Sequence, residues 1–427
     1  MSRIASHRPR PGSPEAPQGR PGRLFSAEDF AVAELTPAEV WDRVSTIAVR
    51  EQGSDIHLTC QREGARVAVR LDGRVYEQGL LPADLGQRVT NHVKVLAKLD
   101  VSERRRPQDG HISLHLDGRP IDLRVSLLPT QHGEDLAIRI LDSETALLHV
   151  EDLGFSERQL EDLATLIDAP SGLVLITGST GAGKTTTAYG ILQRLADGAR
   201  KVVSAEDPIE YDLPGVSQTQ VAAKIGVDFA ALVRSVLRQD PNVINIGEVR
   251  DPETAAAVLR AANSGRLVFA TTHAVYSAAA IESIIALGAN RHFLARSFRG
   301  VIAQTLVRRL CQYCTVRLEE TADIALLEDV RHLLGPHEKP VLSMGRGCPH
   351  CRHTGYRGRL GVFEVLVADD AMRDMLVQGA TAREVYQYAV THKMITIAQA
   401  GKLAALRGLT TVEELLQNVS EIWTGGL

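Results

Sequence analysis

The chain has 427 residues, 44% hydrophobic and 23% charged, with 48 basic and 52 acidic side chains and a net charge of −4. At ~150 residues per domain, this length predicts two or three domains with a sizeable core, and the apolar fraction excludes wholesale disorder. The mild acidity supplies no global field for DNA or RNA, no apolar run approaches the ~18–20 residues of a membrane-spanning helix, and no apolar signal segment opens the chain, so it reads as cytoplasmic, with membrane contact peripheral or through a partner.

Residues 1–24 carry five prolines and five arginines and almost no large apolar side chain. Such a segment cannot bury enough surface to offset its ordering entropy, so it reads as a disordered tail. An α+β domain is expected over residues 25–145. Thr36, Pro37 and Glu39 form a helix start, with Thr36 as cap and Glu39 in capping-box position. Two hairpins follow from alternating runs at 66–71 and 111–116, each ending in a tight turn, Asp72-Gly73 and Asp117-Gly118. Residues 83–99 have helical apolar spacing between them. Fewer strand signals follow from Asp142, and 146–156 is read as a linker.

From Leu173 the pattern changes. Apolar runs at 173–176, 202–203, 243–246 and 267–270 alternate with helical segments, the signature of a parallel sheet covered on both faces. This α/β core is assigned to 157–305. Beyond about Ala274 the chain reads as mostly helical. The exception lies within a tetracysteine segment at 306–365, and 366–427 is a helical region.

The run Gly178, Ser179, Thr180, Gly181, Ala182, Gly183, Lys184, Thr185 matches G-x-x-x-x-G-K-[ST]. It follows a strand and opens a helix, the context the motif requires. Its glycines let backbone N–H groups curl round phosphate oxygens, and the helix N-terminus adds its dipole; Thr186 extends the set. Lys184 is expected to reach the β- and γ-phosphates and the Thr185 hydroxyl to ligate Mg²⁺. An ordinary glycine-rich strand–helix turn is the bland alternative.

Glu206, Asp207 and Glu210 lie just beyond one strand, and Glu248, Arg250 and Asp251 beyond another. Ligands gather at the carboxyl ends of parallel strands, where acids hold Mg²⁺ or orient water. Asp251, followed by Pro252, also suits a helix cap. His273 ends a third strand and fits either a structural role or a sensor of the γ-phosphate. Arg234 and Arg238 are four residues apart on one helix face, either solvated or aimed at nucleotide charge.

Cys311, Cys314, Cys348 and Cys351 form two Cys-x-x-Cys knuckles suited to a closed, structural tetrahedral Zn²⁺ site. Metal-free thiols, or His350 or His353 in place of one cysteine, are the alternatives. Five cysteines are too few for a disulfide scaffold, and the fifth, Cys60, reads as a packing residue.

Together these motifs resemble the secretion ATPases of type II secretion systems and the assembly ATPases of type IV pili, over roughly residues 53–366. The resemblance is carried by SDIHL at 54–58, RRRPQDG at 104–110, DLRVSLLPT at 122–130, EDPIE at 206–210, GEVRD at 247–251, LVFATTH at 267–273 and the tetracysteine segment through TGYRG at 354–358. It implies a RecA-like P-loop motor domain, a preceding PAS-like α+β domain, a helical zinc-binding C-terminal part, and assembly as a homo-hexamer. ATP would bind between the two domains. Glu210 would be the base or water-orienting residue, Glu248 the Mg²⁺-associated acid, and His273 the second histidine of the family's histidine box. Arg124 and Arg139 match arginines that close over nucleotide, and Arg234 and Arg238 a pair facing the phosphates. The implied partner is an inner-membrane platform protein that adds pilin-like subunits to a filament, with the motor held at the cytoplasmic face of the inner membrane through its partners. The tetracysteine segment favours secretion and pilus extension over retraction.

There are departures. Arg266 stands where the box has its first histidine, and Thr272 where it has leucine. About 30 residues precede the first helix, fewer than the long extra N-terminal domain of many members, so docking is expected to use a shorter element or another route. Two rival readings are a motor acting directly on DNA and a low-turnover regulatory ring. The first is weakened by the 4% aromatic content, which leaves few stacking platforms for nucleic acid.

Overall fold

The computed structural model describes residues 21–25, 35–142, 148–318, 327–335 and 337–419. The tail expected over residues 1–20 lies outside them. Among the described residues no helix is long and apolar enough to cross a membrane.

The N-terminal part is a six-stranded antiparallel sheet in the order β3-β2-β1-β6-β5-β4. Its strands are β1 Asp55–Gln61, β2 Gly64–Leu71, β3 Arg74–Leu81, β4 Gln108–Leu116, β5 Arg119–Thr130 and β6 Gly133–Asp142. Helices α1 (Pro37–Arg50) and α2 (Ala83–Leu96) supply Trp41, Val44, Val89 and Val93 to a core shared with Ile56, Leu123 and Ile138. The capping box forms as expected, with Thr36 N donating to Glu39 at 2.8 Å. Both predicted turns are present: Asp72 and Gly73 have φ of 48° and 86°, Asp117 and Gly118 φ of 52° and 82°. These left-handed pairs match the twist of two-residue hairpins.

Lys94 of α2 is fully buried beside Glu134 of β6, at 2.5 Å, and donates to the Glu103 carbonyl at 2.7 Å. Neither carboxylate oxygen of Glu134 has another hydrogen-bond partner among the described residues. Removing one partner of a buried pair strands the other charge, at about 3–5 kcal/mol. Lys94→Met is therefore expected to lower denaturant stability by that amount, and Lys94→Met with Glu134→Leu to recover most of it. An additive loss in the double variant would refute this.

The second sheet has seven strands in the order β15-β12-β7-β11-β10-β8-β9. Its strands are β7 Gly172–Thr177, β8 Val202–Glu206, β9 Val216–Gln220, β10 Val243–Ile246, β11 Leu267–Thr272, β12 Phe298–Leu310 and β15 Tyr356–Val367. All pair in parallel except the edge strand β15, which runs antiparallel to β12. Strands β7, β10 and β11 are buried along their whole length, which explains their unbroken apolar runs. Helices α3 (Glu157–Ile167), α4 (Lys184–Leu195), α5 (Phe229–Val236), α6 (Pro252–Asn263), α7 (Ser277–Ala286) and α8 (Arg291–Ser297) cover the two faces, each with its own core cluster.

Three sequence expectations change here. Residues 298–310 form a long strand rather than a helix: β12 pairs with β7 on one edge and β15 on the other and is buried on both faces over most of its length, so no alternation betrays it. Residues 148–156, read as a linker, dock on the motor sheet: Val150, Leu153 and Phe155 are buried, and Phe155 stacks on Phe363 at 3.6 Å. Residues 21–24, assigned to the tail, lie along β3, where Leu24 N donates to Gln78 at 2.7 Å.

Beyond β12, the short strands β13 (Thr315–Arg317) and β14 (Ser343–Gly345) make a ribbon beside the cysteines. Helices α9 (Asp370–Gln378), α10 (Ala382–Thr391), α11 (Ile397–Leu406) and α12 (Val412–Asn418) complete the chain.

Candidate active site

A cleft of about 1150 Å³ opens between the two sheets. Its floor is the loop from β7 to α4. Gly178, Gly181 and Gly183 have φ of 153°, 79° and 86°. A Cβ at Gly178 would meet the Gln304 carbonyl at 2.4 Å, so glycine is required there on two counts. Gln304 of β12, almost fully buried, donates to the Ala182 carbonyl at 2.7 Å and fixes the loop from below. The loop residues from Ser179 to Thr186 all line the cleft, and Gly183 caps α4 without a side chain, so nothing covers the helix N-terminus from its own cap.

Lys184 folds back on the loop, donating to the Gly178 carbonyl at 2.6 Å and the Ser179 carbonyl at 3.1 Å, with its Nζ 3.2 Å from His273 Nδ1. Burial lowers its pKa, against the pull of Glu248. On its other edge His273 meets Glu248, which also takes Arg250. Burial pushes the Glu248 carboxyl up, but Arg250 and His273 outweigh it and hold the group below its ordinary range. Lys184, His273, Glu248 and Arg250 thus form one polar chain across the ends of β7, β10 and β11.

Glu210 approaches from the opposite side. It is hydrogen-bonded to the Thr185 side chain, and burial raises its pKa, opposed by Arg124 and Arg139. Those arginines come from the N-terminal sheet. Arg124 of β5 donates to the Ile209 carbonyl at 3.2 Å, and Arg139 of β6 lines the cleft beside Asp55, at 3.4 Å. The site therefore needs both domains.

Other candidates are held by partners of their own. Glu206 is buried and committed to the Tyr189 hydroxyl and to Gln218, at 2.9 Å from the latter. Asp251 is a helix cap, accepting from Thr254 N at 2.7 Å. Arg234 and Arg238 do not line the cleft; the Arg238 guanidinium turns back onto the Arg234 carbonyl at 2.8 Å and Ser235 at 3.3 Å. Arg266 sits at the start of β11, the end of the sheet remote from the phosphate loop, and pairs with Asp240 at 3.7 Å. Sequence reasoning missed Tyr189 and Gln304, whose roles depend on partners 17 and 122 residues away.

The four cysteines converge. All four sulfurs lie within 4.8 Å of one another, with Cys311–Cys348 at 3.9 Å, Cys314–Cys351 at 3.7 Å and Cys348–Cys351 at 3.8 Å. A tetrahedron with Zn–S bonds of about 2.3 Å has edges of about 3.8 Å, so the donor set and spacing fit a zinc ion. His350 stacks on Tyr313 at 4.2 Å and joins no such cluster. The geometry gathers four thiols rather than three and a histidine.

A glycine cradle after the first motor strand, with acids ending the neighbouring strands, defines a P-loop nucleotide hydrolase. Residues 33–417 match the family described as "Type II/IV secretion system protein", and the chain belongs to that family. It is 41% identical over 376 residues to the type II secretion system protein E of Pseudomonas aeruginosa, covering 88% of this chain and 74% of that protein. It is 38% identical over 378 residues to the type IV pilus assembly ATPase PilB of Thermus thermophilus, covering 88% of this chain and 42% of that one. In fold it resembles the Legionella pneumophila ATPase DotB, with a TM-score of 0.67 at 21% identity over 92% of this chain and 97% of that one.

Proposed function

We propose that this secretion or pilus-assembly ATPase cleaves ATP in the cleft between its two sheets and turns the closure and release of that cleft into work on a filament. The observation that carries the reading is the position of Glu210, which lines the cleft, is hydrogen-bonded to the Thr185 side chain and feels the charge of two arginines of the other domain. In this reading the loop residues Gly178 to Thr186 bind the phosphates, and Lys184 moves from its carbonyls to the β- and γ-phosphate oxygens. Glu210 orients the attacking water and accepts its proton. Arg124 and Arg139 stabilise charge that develops on the transferred phosphoryl group. Thr185 and Glu248 would hold Mg²⁺, which when bound neutralises phosphate charge. His273, bridging Lys184 and Glu248, reports whether the γ-phosphate is present. Arg234, on the outer face of α5, and Arg238, in the turn that follows it, act on a neighbouring subunit's cleft in a homo-hexameric ring.

The four cysteines hold a structural Zn²⁺ ion. About one zinc per chain is the expected content, and Cys348→Ser is expected to lose it. A strong chelator should then expose residues 311–358 to proteolysis while the phosphate loop keeps its protection. Unchanged proteolysis after complete zinc removal would refute a structural role.

The partner of the ring is an inner-membrane platform protein, which places the motor at the cytoplasmic face through that contact. The domain plan is an N-terminal PAS-like part, a RecA-like core, a zinc segment and C-terminal helices. The test is steady-state ATP hydrolysis by the purified chain, alone and with the platform's cytoplasmic domain. Turnover raised by the platform is expected; a rate indifferent to it would overturn the coupling.

A further inference from the structure

The β2–β3 turn at Asp72, Gly73 and Arg74 lines the nucleotide cleft. It is held by elements that come after the motor sheet's phosphate loop by more than a hundred residues. Arg352, immediately after Cys351, is the main one. Its side chain is only 8% exposed. It donates from Nε to Glu51 Oε2 at 2.8 Å and from its terminal nitrogen to the Glu51 carbonyl at 2.5 Å, and lies 4.0 Å from Asp72 Oδ2. Gly358 N donates to the other oxygen of Asp72 at 3.0 Å. On the other flank of the turn, Arg74 pairs with Glu414 of α12 at 3.2 Å, and Glu414 also holds Arg308 of β12 at 2.7 Å. The Arg352 carbonyl accepts from Gly22 at 2.8 Å, so residues 21–25 are pinned to the same knuckle.

The backbone makes Arg352 dependent on the cysteines. Arg352 and His353 have φ of 53° and 60°, two successive left-handed residues without glycine. That conformation is disfavoured unless its surroundings impose it. Here the surroundings are the closed knuckle: His353 N and Cys351 N both donate to the Cys348 carbonyl, at 2.9 and 3.1 Å. An arginine fork buried against a carboxylate and a main-chain carbonyl of another domain is a geometric lock rather than a solvated surface pair.

We propose that the four-cysteine module is the post of an interdomain latch, and that Arg352 is a positioning residue that sets nucleotide affinity by holding the Asp72–Arg74 turn over the cleft. The inference rests on the reading of that cleft as the ATP site. It gives the module a task in the motor cycle: while the knuckle is closed, the Asp72–Arg74 turn is held at the wall of the cleft.

The test uses the full chain as wild type, Arg352→Ala and Glu51→Ala. Hydrogen exchange over residues 64–81 without nucleotide reads the latch directly. Affinity for a fluorescent ATP analogue with Mg²⁺, KM, kcat and zinc content are then measured. Arg352→Ala is expected to speed exchange in the hairpin and weaken analogue binding on the order of tenfold, and Glu51→Ala, which keeps its main-chain carbonyl bond, to do both in the same direction but less. KM should rise while kcat at saturation stays within about twofold, and zinc content should not change. The double variant should be no worse than Arg352→Ala alone, because losing Arg352 already removes its contact with the Glu51 carboxylate. Should Arg352→Ala fold poorly, Glu51→Ala reads the same contact from the exposed side. Wild-type exchange and affinity in variants that retain zinc would overturn the latch. Absence of analogue binding by the wild type would instead overturn the ATP site, which the nucleotide-free exchange measurement keeps separate.

Discussion

Lys184→Ala is expected to lower kcat/KM for ATP by about 10²–10³ or more, the scale of removing one donor aimed at developing charge. Its ammonium rests on two loop carbonyls and a histidine and props up no core side chain. The variant should therefore fold with an unchanged melting temperature, which separates lost chemistry from lost structure. Its effect should exceed that of truncating any other side chain of the loop, because the backbone donors of the cradle remain in place when a side chain is removed. Hydrolysis at the wild-type rate would remove the phosphate site from this cleft.

Glu210→Gln separates binding from cleavage. The amide keeps the shape and a hydrogen bond to Thr185 but cannot accept a proton. ATP should still bind, and kcat should fall about 10²–10⁴-fold, the usual contribution of a positioned base. The pH profile carries the sign. Burial raises the Glu210 pKa, with Arg124 and Arg139 pulling the other way and not prevailing. The active form is the carboxylate, so activity should fall as pH drops through a value above the ordinary glutamate range, earlier than for a free side chain. The glutamine variant should lose that acid limb and keep a flat residual rate. Arg124→Ala, which removes an opposing charge, should move the limb to still higher pH. An acid limb unchanged in Glu210→Gln would assign it to another group.

The phosphate loop was legible because all its parts are consecutive, and the strand and helix that flank it are needed for the motif to work. The cysteine cluster was legible for a related reason: two knuckles announce themselves locally, although they lie 37 residues apart. The capping box at Thr36 and the Asp-Gly turns likewise depend on neighbours in sequence. What failed depends on distant partners. Strand β12 pairs with β7 and β15 along its two edges, and burial of both its faces erases the alternation that marks a strand. Glu206 and Glu210 look alike in sequence, four residues apart. Only the packing shows that Glu206 is spent on Tyr189 and Gln218 while Glu210 faces Thr185 and the arginines. Arg234 and Arg238 are four apart, but the helix ends at Val236 and Arg238 falls in the turn beyond it, and neither lines this chain's own cleft. The direction Arg234 faces is set by Ala230, Val233 and Val236 burying the other side of α5.

Arg266 illustrates the same point for a departure from the family. At the far end of β11, beside Asp240, it is remote from the phosphate loop, so its exchange for histidine leaves the polar chain of Lys184, His273 and Glu248 untouched.

The most direct test is the nucleotide content of Glu210→Gln after incubation with Mg²⁺ and ATP and rapid removal of free ligand. The account requires uncleaved ATP on the variant where the wild type carries ADP. Recovery of ADP at the wild-type rate, or of no nucleotide from a folded variant, would contradict it.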